Sequence, residues 1–256
     1  MNYRPSQVSM SIPPFPPAVK WLMIVTVAIW FIGQVLLEGF LKIPLTDIFA
    51  LQPGQVLFDY YIWQLFSYMF LHSQSQVTHI VFNMLMLWFM GAELETRWGT
   101  KSFLAFYIVN GIGAALIYIF GIAMYSYFSG SQKGLLVPVV GASGSLFALM
   151  LAYGWLFGDR VIYFFMVFPM KARYFVMILG FIQVSSLLTS GVVGGEVAHL
   201  AHLGGILSGI VYIFFWGLYK TRVQEAKNKK KTRNLRLIVN NEEQEGSKKR
   251  DPRYWN

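Results

Sequence analysis

The chain contains no cysteine among its 256 residues, and charged side chains make up only 13% of it. The missing cysteine excludes disulfide bonds and thiol catalysis, and it leaves the redox compartment undetermined. Charged residues are about half as frequent as in ordinary globular domains. Acidic residues are the scarcest, with 12 Asp and Glu against 21 Lys and Arg. A protein so poor in charge is not expected to be surrounded entirely by water.

Apolar residues take their place, at 55% of the chain, and they fall into six long blocks. A helix of about 20 residues is roughly 30 Å long and matches the hydrocarbon core of a bilayer. The blocks cover residues 19–37, 77–92, 102–124, 135–157, 174–190 and 197–219. The sequence therefore predicts an all-α membrane protein, a bundle of six transmembrane helices with a long first outer loop.

Three regions are predicted: a proline-rich N-terminus (1–18), the membrane domain (19–219) and a basic tail (220–256). With both termini in the cytoplasm, nineteen of the 21 Lys and Arg lie on the cytoplasmic side, which is the positive-inside pattern. The tail is interpreted as an anchor that contacts anionic lipids. Nucleic-acid binding is not expected, because no recognised fold supports it. The N-terminus resembles neither a cleaved signal nor a transit peptide, which favours a bacterial inner membrane.

Polar side chains interrupt three of the predicted spans at one level. The second, fourth and sixth spans each end in a cation at the cytoplasmic edge. His79, Ser143 and His202 precede these cations by 18, 17 and 18 residues, or about 27, 26 and 27 Å of helix. Polar groups at such depth are costly and usually functional, so we expect a shared site near the outer surface.

The spacing of small residues indicates which helices meet. His79 and Asn83, four residues apart, share a helix face. Small residues let helices approach closely in lipid. Such residues flank both Ser143 and His202, and they are Gly141, Gly144, Gly205 and Gly209. If the fourth and sixth spans pack through these glycines, Ser143 and His202 come within hydrogen-bond reach.

A neighbouring imidazole turns a serine into a nucleophile at neutral pH. Backbone N–H groups near Ser143, together with Asn83 and His79, are candidate donors to a tetrahedral oxyanion. No Asp or Glu lies at this depth in the second, fourth or sixth span, and there is no His-Glu-x-x-His motif. We therefore predict a Ser–His dyad that uses no metal and no cofactor.

Other interpretations of the same residues exist. Ser143 is also suited to simple helix packing. His199, one turn before His202, competes with it as the base, although the glycine pattern favours His202. Ser145 lies about 200° around the helix from Ser143 and should face elsewhere. His72, in the outer loop, is interpreted as structural.

Over roughly residues 20–218 the chain resembles the rhomboid family of intramembrane serine proteases. The resemblance rests on three motifs in order: His79-x-x-x-Asn83, Gly141-Ala142-Ser143-Gly144 and His202-x-x-Gly205-x-x-x-Gly209. It implies cleavage of peptide bonds in or near transmembrane helices of membrane-protein substrates, in a site open to the outer face. Ser143 would be the nucleophile and His202 the base, with His79 and Asn83 at the oxyanion. Phe82 would face the substrate gate between the second and fifth spans.

Two positions depart from the family pattern. Gln64 follows Trp63 where the family usually has arginine, and Phe147 stands where a tyrosine is common. Two other functions are considered: a rhomboid-like pseudoprotease that binds and escorts membrane helices, and a small-solute transporter. Retention of both Ser143 and His202 argues against the first. The lack of internal repeats and acidic relay residues argues against the second.

Overall fold

The computed structural model describes residues 13–164, 168–191 and 199–245. In chain order its helices are α1 (Pro17–Glu38), α2 (Leu45–Phe49), α3 (Pro53–Phe58), α4 (Gln64–Ser67), α5 (Val77–Trp98), α6 (Thr100–Ser129), α7 (Lys133–Leu136), α8 (Ser143–Leu156), α9 (Ala172–Ser190) and α10 (His199–Glu245). Five of these described helices are long and apolar enough to cross a membrane: α1, α5, α6, α9 and α10 over His199–Arg222. The protein is thus a helical, multi-pass membrane protein.

The fourth predicted span is wrong over its first eight residues. Block 135–157 begins with the end of the single turn α7, continues as non-helical chain through residues 137–142, and becomes helical only at Ser143. Pro138 has no N–H to continue a helix, and Gly141 takes a φ of +126°, which an L side chain rarely adopts. Helix α8 consequently has 14 residues and is about 21 Å long.

This shortening also corrects the depth argument. His79 and His202 each lie in the first turn of a long helix, α5 and α10. Ser143 does not lie inside a long helix; it is the first residue of α8. Its level is set by the non-helical chain before it, where Val139 and Leu51 exchange backbone hydrogen bonds of 2.8 and 2.9 Å.

The first outer loop folds into the short helices α2 to α4 and is held together by Gln64. This side chain is fully buried, and its amide nitrogen donates to the Ile48 carbonyl and to Gln55 Oε1 at 3.2 and 2.6 Å. Its Oε1 accepts from the Gln52 backbone N–H at 3.0 Å. Gln64 therefore ties three parts of the loop together at the position where the family usually has arginine.

At the opposite end of the helices, Glu95 joins α5 to α1. Its carboxylate accepts hydrogen bonds from the backbone N–H groups of Ala18 and Val19, both at 2.9 Å, and from the Thr100 hydroxyl. These N–H groups belong to the first turn of α1, which has no helical partner for them. A buried carboxylate at a helix N-terminus also interacts favourably with the positive end of the helix dipole.

A two-stranded hairpin, which the sequence did not predict, joins α8 to α9. Strand β1 (Val161–Phe164) pairs antiparallel with β2 (Phe168–Lys171), with Val161 opposite Lys171. Asp159, just before β1, accepts a hydrogen bond from Lys171 and lies 3.2 Å from the Arg173 guanidinium. These two cations lower the pKa of Asp159.

The long helix α6 supplies much of the core. Its buried residues Ala115, Tyr118, Ile119 and Ile122 pack against apolar side chains from the outer loop and from α10. Polar contacts add to this packing, because the Ser208 hydroxyl on α10 donates to Asn110 Oδ1 on α6 at 2.8 Å. Such interhelical hydrogen bonds contribute about 0.6 to 2 kcal/mol in membrane proteins.

The described chain divides into two compact units, one ending at Tyr212 and the other beginning at Ile213. In the second unit the Lys220 ammonium lies 5.2 Å from the centre of the Trp216 ring. Parts of three predictions lie outside the described residues: most of the proline-rich N-terminus (1–12), the first two residues of the sixth predicted span (197 and 198), and the end of the tail (246–256). The three-region division remains a prediction.

Candidate active site

Ser143 begins α8, directly after a sharp turn of the chain. Gly141 makes that turn with a positive φ, and its backbone N–H donates to the Tyr68 carbonyl of the outer loop at 3.0 Å. A helix N-terminus carries unpaired N–H groups and a partial positive charge. The Ser143 hydroxyl is therefore held where negative charge is stabilised.

His202 approaches this hydroxyl from α10. Its Nε2 lies 2.7 Å from Ser143 Oγ, a short hydrogen bond between side chains 59 residues apart. The imidazole is 7% exposed and stacks on the Phe147 ring, with 4.4 Å between ring centres and 22° between planes. Phe147 thus packs on the histidine although it lacks the hydroxyl of a tyrosine.

Glycines set the separation of α8 from α10. A methyl group at Gly205 would overlap the carbonyl oxygen of Gly144, and one at Gly209 would lie 3.2 Å from Ala148. Gly144 has its other side against α6, where a methyl group would lie 2.8 Å from the Ala114 Cβ. The backbones of three helices therefore come close together beside the serine, and a larger residue at Gly205 would push His202 away from it.

Two further side chains from α5 border the same space. The His79 ring lies against Gly141, so that a methyl group there would be 2.9 Å from Nε2. Asn83, one turn further along α5, is 6% exposed, and its Nδ2 has no hydrogen-bond partner among the described residues. An amide that can donate two hydrogen bonds and is buried without an acceptor is costly unless a ligand supplies one.

These groups line one open cavity of about 930 Å³. Ser143, His202, His79 and Asn83 all contribute to its wall, as does the half-exposed Phe82. The polar end of the cavity is formed by outer-loop and α1 residues, and its apolar walls come from α5, α8 and α9. The structure therefore brings Ser143, His202, His79, Asn83 and Phe82 to one space. The glycines predicted for helix packing lie beside it: Gly144, Gly205 and Gly209 at helix contacts, but Gly141 in the non-helical turn before α8.

The other polar residues near the site face different partners. Ser145 Oγ donates to the Tyr107 carbonyl at 2.8 Å, away from the cavity. His72 is fully buried, with both ring nitrogens unpartnered in the described part of the chain, and its ring lies 5.1 Å from that of His79. Burial, together with the neighbouring His79, lowers the pKa of His72 to about 3.

Gln183 is a polar residue of the site that sequence reasoning missed. Its Oε1 on α9 lies 2.9 Å from Nδ1 of His202 and 2.7 Å from Nδ1 of His199. His199 therefore contacts the same amide instead of the serine. The available signal was one amide in an otherwise apolar span, which is expensive in lipid without a partner.

No cluster of three His, Asp or Glu side chains among the described residues is arranged to hold a metal ion. The prediction that the site works without metal or cofactor stays a prediction.

Comparison with known proteins identifies related chains. A family model described as the rhomboid domain matches residues 60–219. Curated relatives named rhomboid protease GlpG include one from Pectobacterium atrosepticum, 27% identical over 79% of this chain and 63% of its own length. Others are from Yersinia pseudotuberculosis and Yersinia pestis, 30% and 31% identical over 60% of this chain and 48% of theirs. The chain therefore spans about half to three fifths of the length of these relatives.

Proposed function

This chain belongs to the rhomboid family, and we propose that it is an intramembrane serine endopeptidase that cleaves peptide bonds in or near the transmembrane helices of other proteins. One observation carries the proposal. The hydroxyl of Ser143 and the Nε2 of His202 lie 2.7 Å apart, within family motifs and at the wall of a cavity. The names of the curated relatives agree with this activity.

In the proposed reaction His202 acts first as a base. Its Nε2 takes the proton of the Ser143 hydroxyl while Oγ attacks the carbonyl carbon of the substrate peptide bond. When the tetrahedral intermediate collapses, the C–N bond breaks and His202 returns the proton to the leaving amine. A water molecule then attacks the acyl-serine ester while His202 takes one of its protons. The bond between the acyl carbon and Oγ breaks, His202 returns the proton to Ser143, and the new carboxyl group is released.

The negative charge of each tetrahedral intermediate needs donors. Asn83 Nδ2 is buried without a partner among the described residues, His79 lies beside Gly141, and the N-terminus of α8 begins at the nucleophile itself. Donors that are already oriented lower the barrier because no solvent must reorganise. We assign Asn83 and His79 to this oxyanion site.

The substrate reaches the site in an extended conformation, because a hydrogen-bonded helix hides its carbonyl groups. We propose that the substrate has small residues at the cleaved bond and helix-weakening residues below it. In this chain, Phe82 lies at the proposed entrance between α5 and α9. Phe82, on α5, and Phe175 and Leu179, on α9, line the cavity together, which supports this entrance.

The orientation proposed here has six spans, both termini in the cytoplasm, and a site open to the outer face of a bacterial inner membrane. The apolar helix α8, with 14 residues, is the fourth of these six spans and is added to the five long helices. The charge asymmetry supports the orientation, because Lys42 and Lys133 are the only cations assigned to the outside. The basic tail adds a contact to anionic lipids.

The test is cleavage of a model transmembrane substrate by the purified chain in liposomes. Wild type should cleave it, and Ser143→Ala and His202→Ala should each reduce cleavage to background. A fluorophosphonate probe, which reacts only with an activated serine, should label wild type but not Ser143→Ala. Ser145→Ala serves as the matched control, since this hydroxyl donates to a backbone carbonyl away from the cavity.

Cleavage that persists in Ser143→Ala would refute the proposal. A folded wild type that neither cleaves nor reacts with the probe, yet captures membrane helices, would instead identify a pseudoprotease that escorts them.

A further inference from the structure

Gln183 is an unusual residue for the helix that carries it. Most of α9 is partly or fully exposed, and its buried residues are Ala172, Phe175 and Gln183. An amide inside a membrane-spanning helix is costly unless both ends find partners. The position of its oxygen shows what this amide contributes.

The Gln183 oxygen lies within hydrogen-bond distance of two imidazoles at once. It lies 2.9 Å from Nδ1 of His202 and 2.7 Å from Nδ1 of His199. An amide oxygen has two lone pairs and cannot donate, so both contacts are satisfied when each Nδ1 carries a hydrogen.

This arrangement favours one protonation pattern of His202. A neutral imidazole carries one hydrogen, and when this is on Nδ1 the lone pair is on Nε2, which faces Ser143 Oγ at 2.7 Å. The opposite tautomer would point a hydrogen at the serine and could not accept its proton. A residue that holds Nδ1–H therefore keeps the base in its working form.

We propose that Gln183 is the positioning residue of the site, which fixes the tautomer and ring orientation of His202 through its side-chain oxygen. It occupies the place that a carboxylate takes in a Ser–His–Asp triad, but with a neutral amide. The inference rests on the proposed function, since it assigns His202 as the base. It also means that the nucleophile, the base and the residue that positions the base come from three different helices, α8, α10 and α9.

The test compares variants of the full-length chain in detergent by kcat and KM on a transmembrane substrate. Gln183→Leu removes the acceptor at similar volume, and Gln183→Asn withdraws it by one methylene group. Both should lower kcat about tenfold or more, which is the effect of one lost hydrogen bond at the upper end of its usual range, with little change in KM. Gln183→Glu, which retains an acceptor oxygen, should keep most of kcat. Val184→Leu, at a neighbouring half-exposed position, is the control and should match wild type.

A second readout does not depend on cleavage. The chain has only four histidines, so ¹⁵N spectra of the imidazoles can be assigned by substitution. His202 should carry its hydrogen on Nδ1 in wild type and in the Ser143→Ala variant, and lose this preference in Gln183→Leu and Gln183→Asn. A structural role alone would change stability without changing the tautomer.

The outcomes separate the two proposals. If Ser143→Ala still cleaves, the proposed function fails, whatever the spectra show. If wild type cleaves through Ser143 while Gln183→Leu and Gln183→Asn keep wild-type kcat and tautomer, only the role of Gln183 is overturned. Should Gln183→Leu not fold, Gln183→Asn and the wild-type spectrum decide, and an Nε2–H tautomer in wild type refutes the inference.

Discussion

At the scale of single residues, Asn83 places a buried donor without a partner in the cavity wall. Its side-chain nitrogen is buried and has no partner within the described residues. In a folded protein such a group destabilises the resting state by about 1 to 3 kcal/mol, and this cost is relieved when an acceptor arrives. The proposed oxyanion is such an acceptor, and it exists only during the reaction.

We therefore expect Asn83→Ala to lower kcat by about 10²- to 10³-fold, as loss of one oxyanion donor typically does. Folding should be unimpaired, since no hydrogen bond of this nitrogen within the described chain is lost. The measurement is kcat on a transmembrane substrate together with the midpoint of thermal unfolding. A variant with unchanged kcat would remove Asn83 from the oxyanion site.

His72 makes stability depend on pH. Its pKa is lowered to about 3 by burial and by the nearby His79, against an ordinary value near 6.5. Between these values the unfolded chain binds a proton that the folded chain refuses, so stability falls as the pH drops from about 6.5 towards 3.

His72→Leu should flatten the pH dependence of the unfolding midpoint across this window and leave its slope above pH 7 unchanged. Unfolding in detergent, followed by circular dichroism from pH 4 to pH 8, measures both slopes. Parallel curves for wild type and variant would show that His72 titrates normally in the folded chain.

The candidate site was predictable where residues obey simple spacing rules. The glycine pattern predicted that Ser143 and His202 meet, and their side-chain atoms lie 2.7 Å apart. The depth count did not hold for Ser143, because this residue begins α8 and does not lie inside a long helix. Gln183 was not predicted, because a lone amide has many possible partners and its contact depends on how α9 rotates beside α10. The roles of these residues in catalysis remain proposals.

At the scale of elements, the close approach of α8 and α10 depends on glycine. The carbonyl of Gly144 occupies the space in which a side chain at Gly205 would lie. Because both groups belong to helix backbones, neither can move aside as a flexible side chain would. The position of His202, one turn before Gly205 on the same helix, follows from this contact.

Gly205→Ala should therefore separate the two helices, destabilise the fold by about 1 to 3 kcal/mol and reduce labelling of Ser143 by a fluorophosphonate. Gly217→Ala is the matched control, since a methyl group there meets no atom within 4 Å. Unfolding midpoint and labelling rate are measured on both variants. Wild-type behaviour of Gly205→Ala would mean that the helices tolerate a wider spacing.

Element boundaries were predicted well where length and hydropathy decide them. Helices α1, α5, α6, α9 and α10 each overlap a predicted apolar block. The helix prediction for the fourth block was wrong over its first eight residues. Hydropathy does not register Pro138 or the conformation of Gly141, both of which prevent a helix there. The hairpin of β1 and β2 was missed because it lies in a connection too short to show a strand pattern.

At the scale of the whole molecule, the distribution of Lys and Arg predicts how the chain is oriented in the membrane. The lack of cysteine makes it testable, since every introduced thiol is unique. Gln132→Cys, exposed in the turn between α6 and α7, should react with an impermeant maleimide in right-side-out spheroplasts. Lys101→Cys, exposed at the start of α6, should react only after permeabilisation. The reverse pattern would invert the proposed topology and place the cavity mouth in the cytoplasm.

Helix α8 is about 21 Å long, whereas the hydrocarbon core of a bilayer is roughly 30 Å thick. The helix is therefore about 9 Å shorter than the core. Most of this helix is buried within the bundle. Ser143 begins the helix and lines the cavity of about 930 Å³, which has room for water. The proposed hydrolysis consumes one water for each bond cut. In that reaction, the interruption of the fourth span places the nucleophile at a helix end, beside a space that water can occupy.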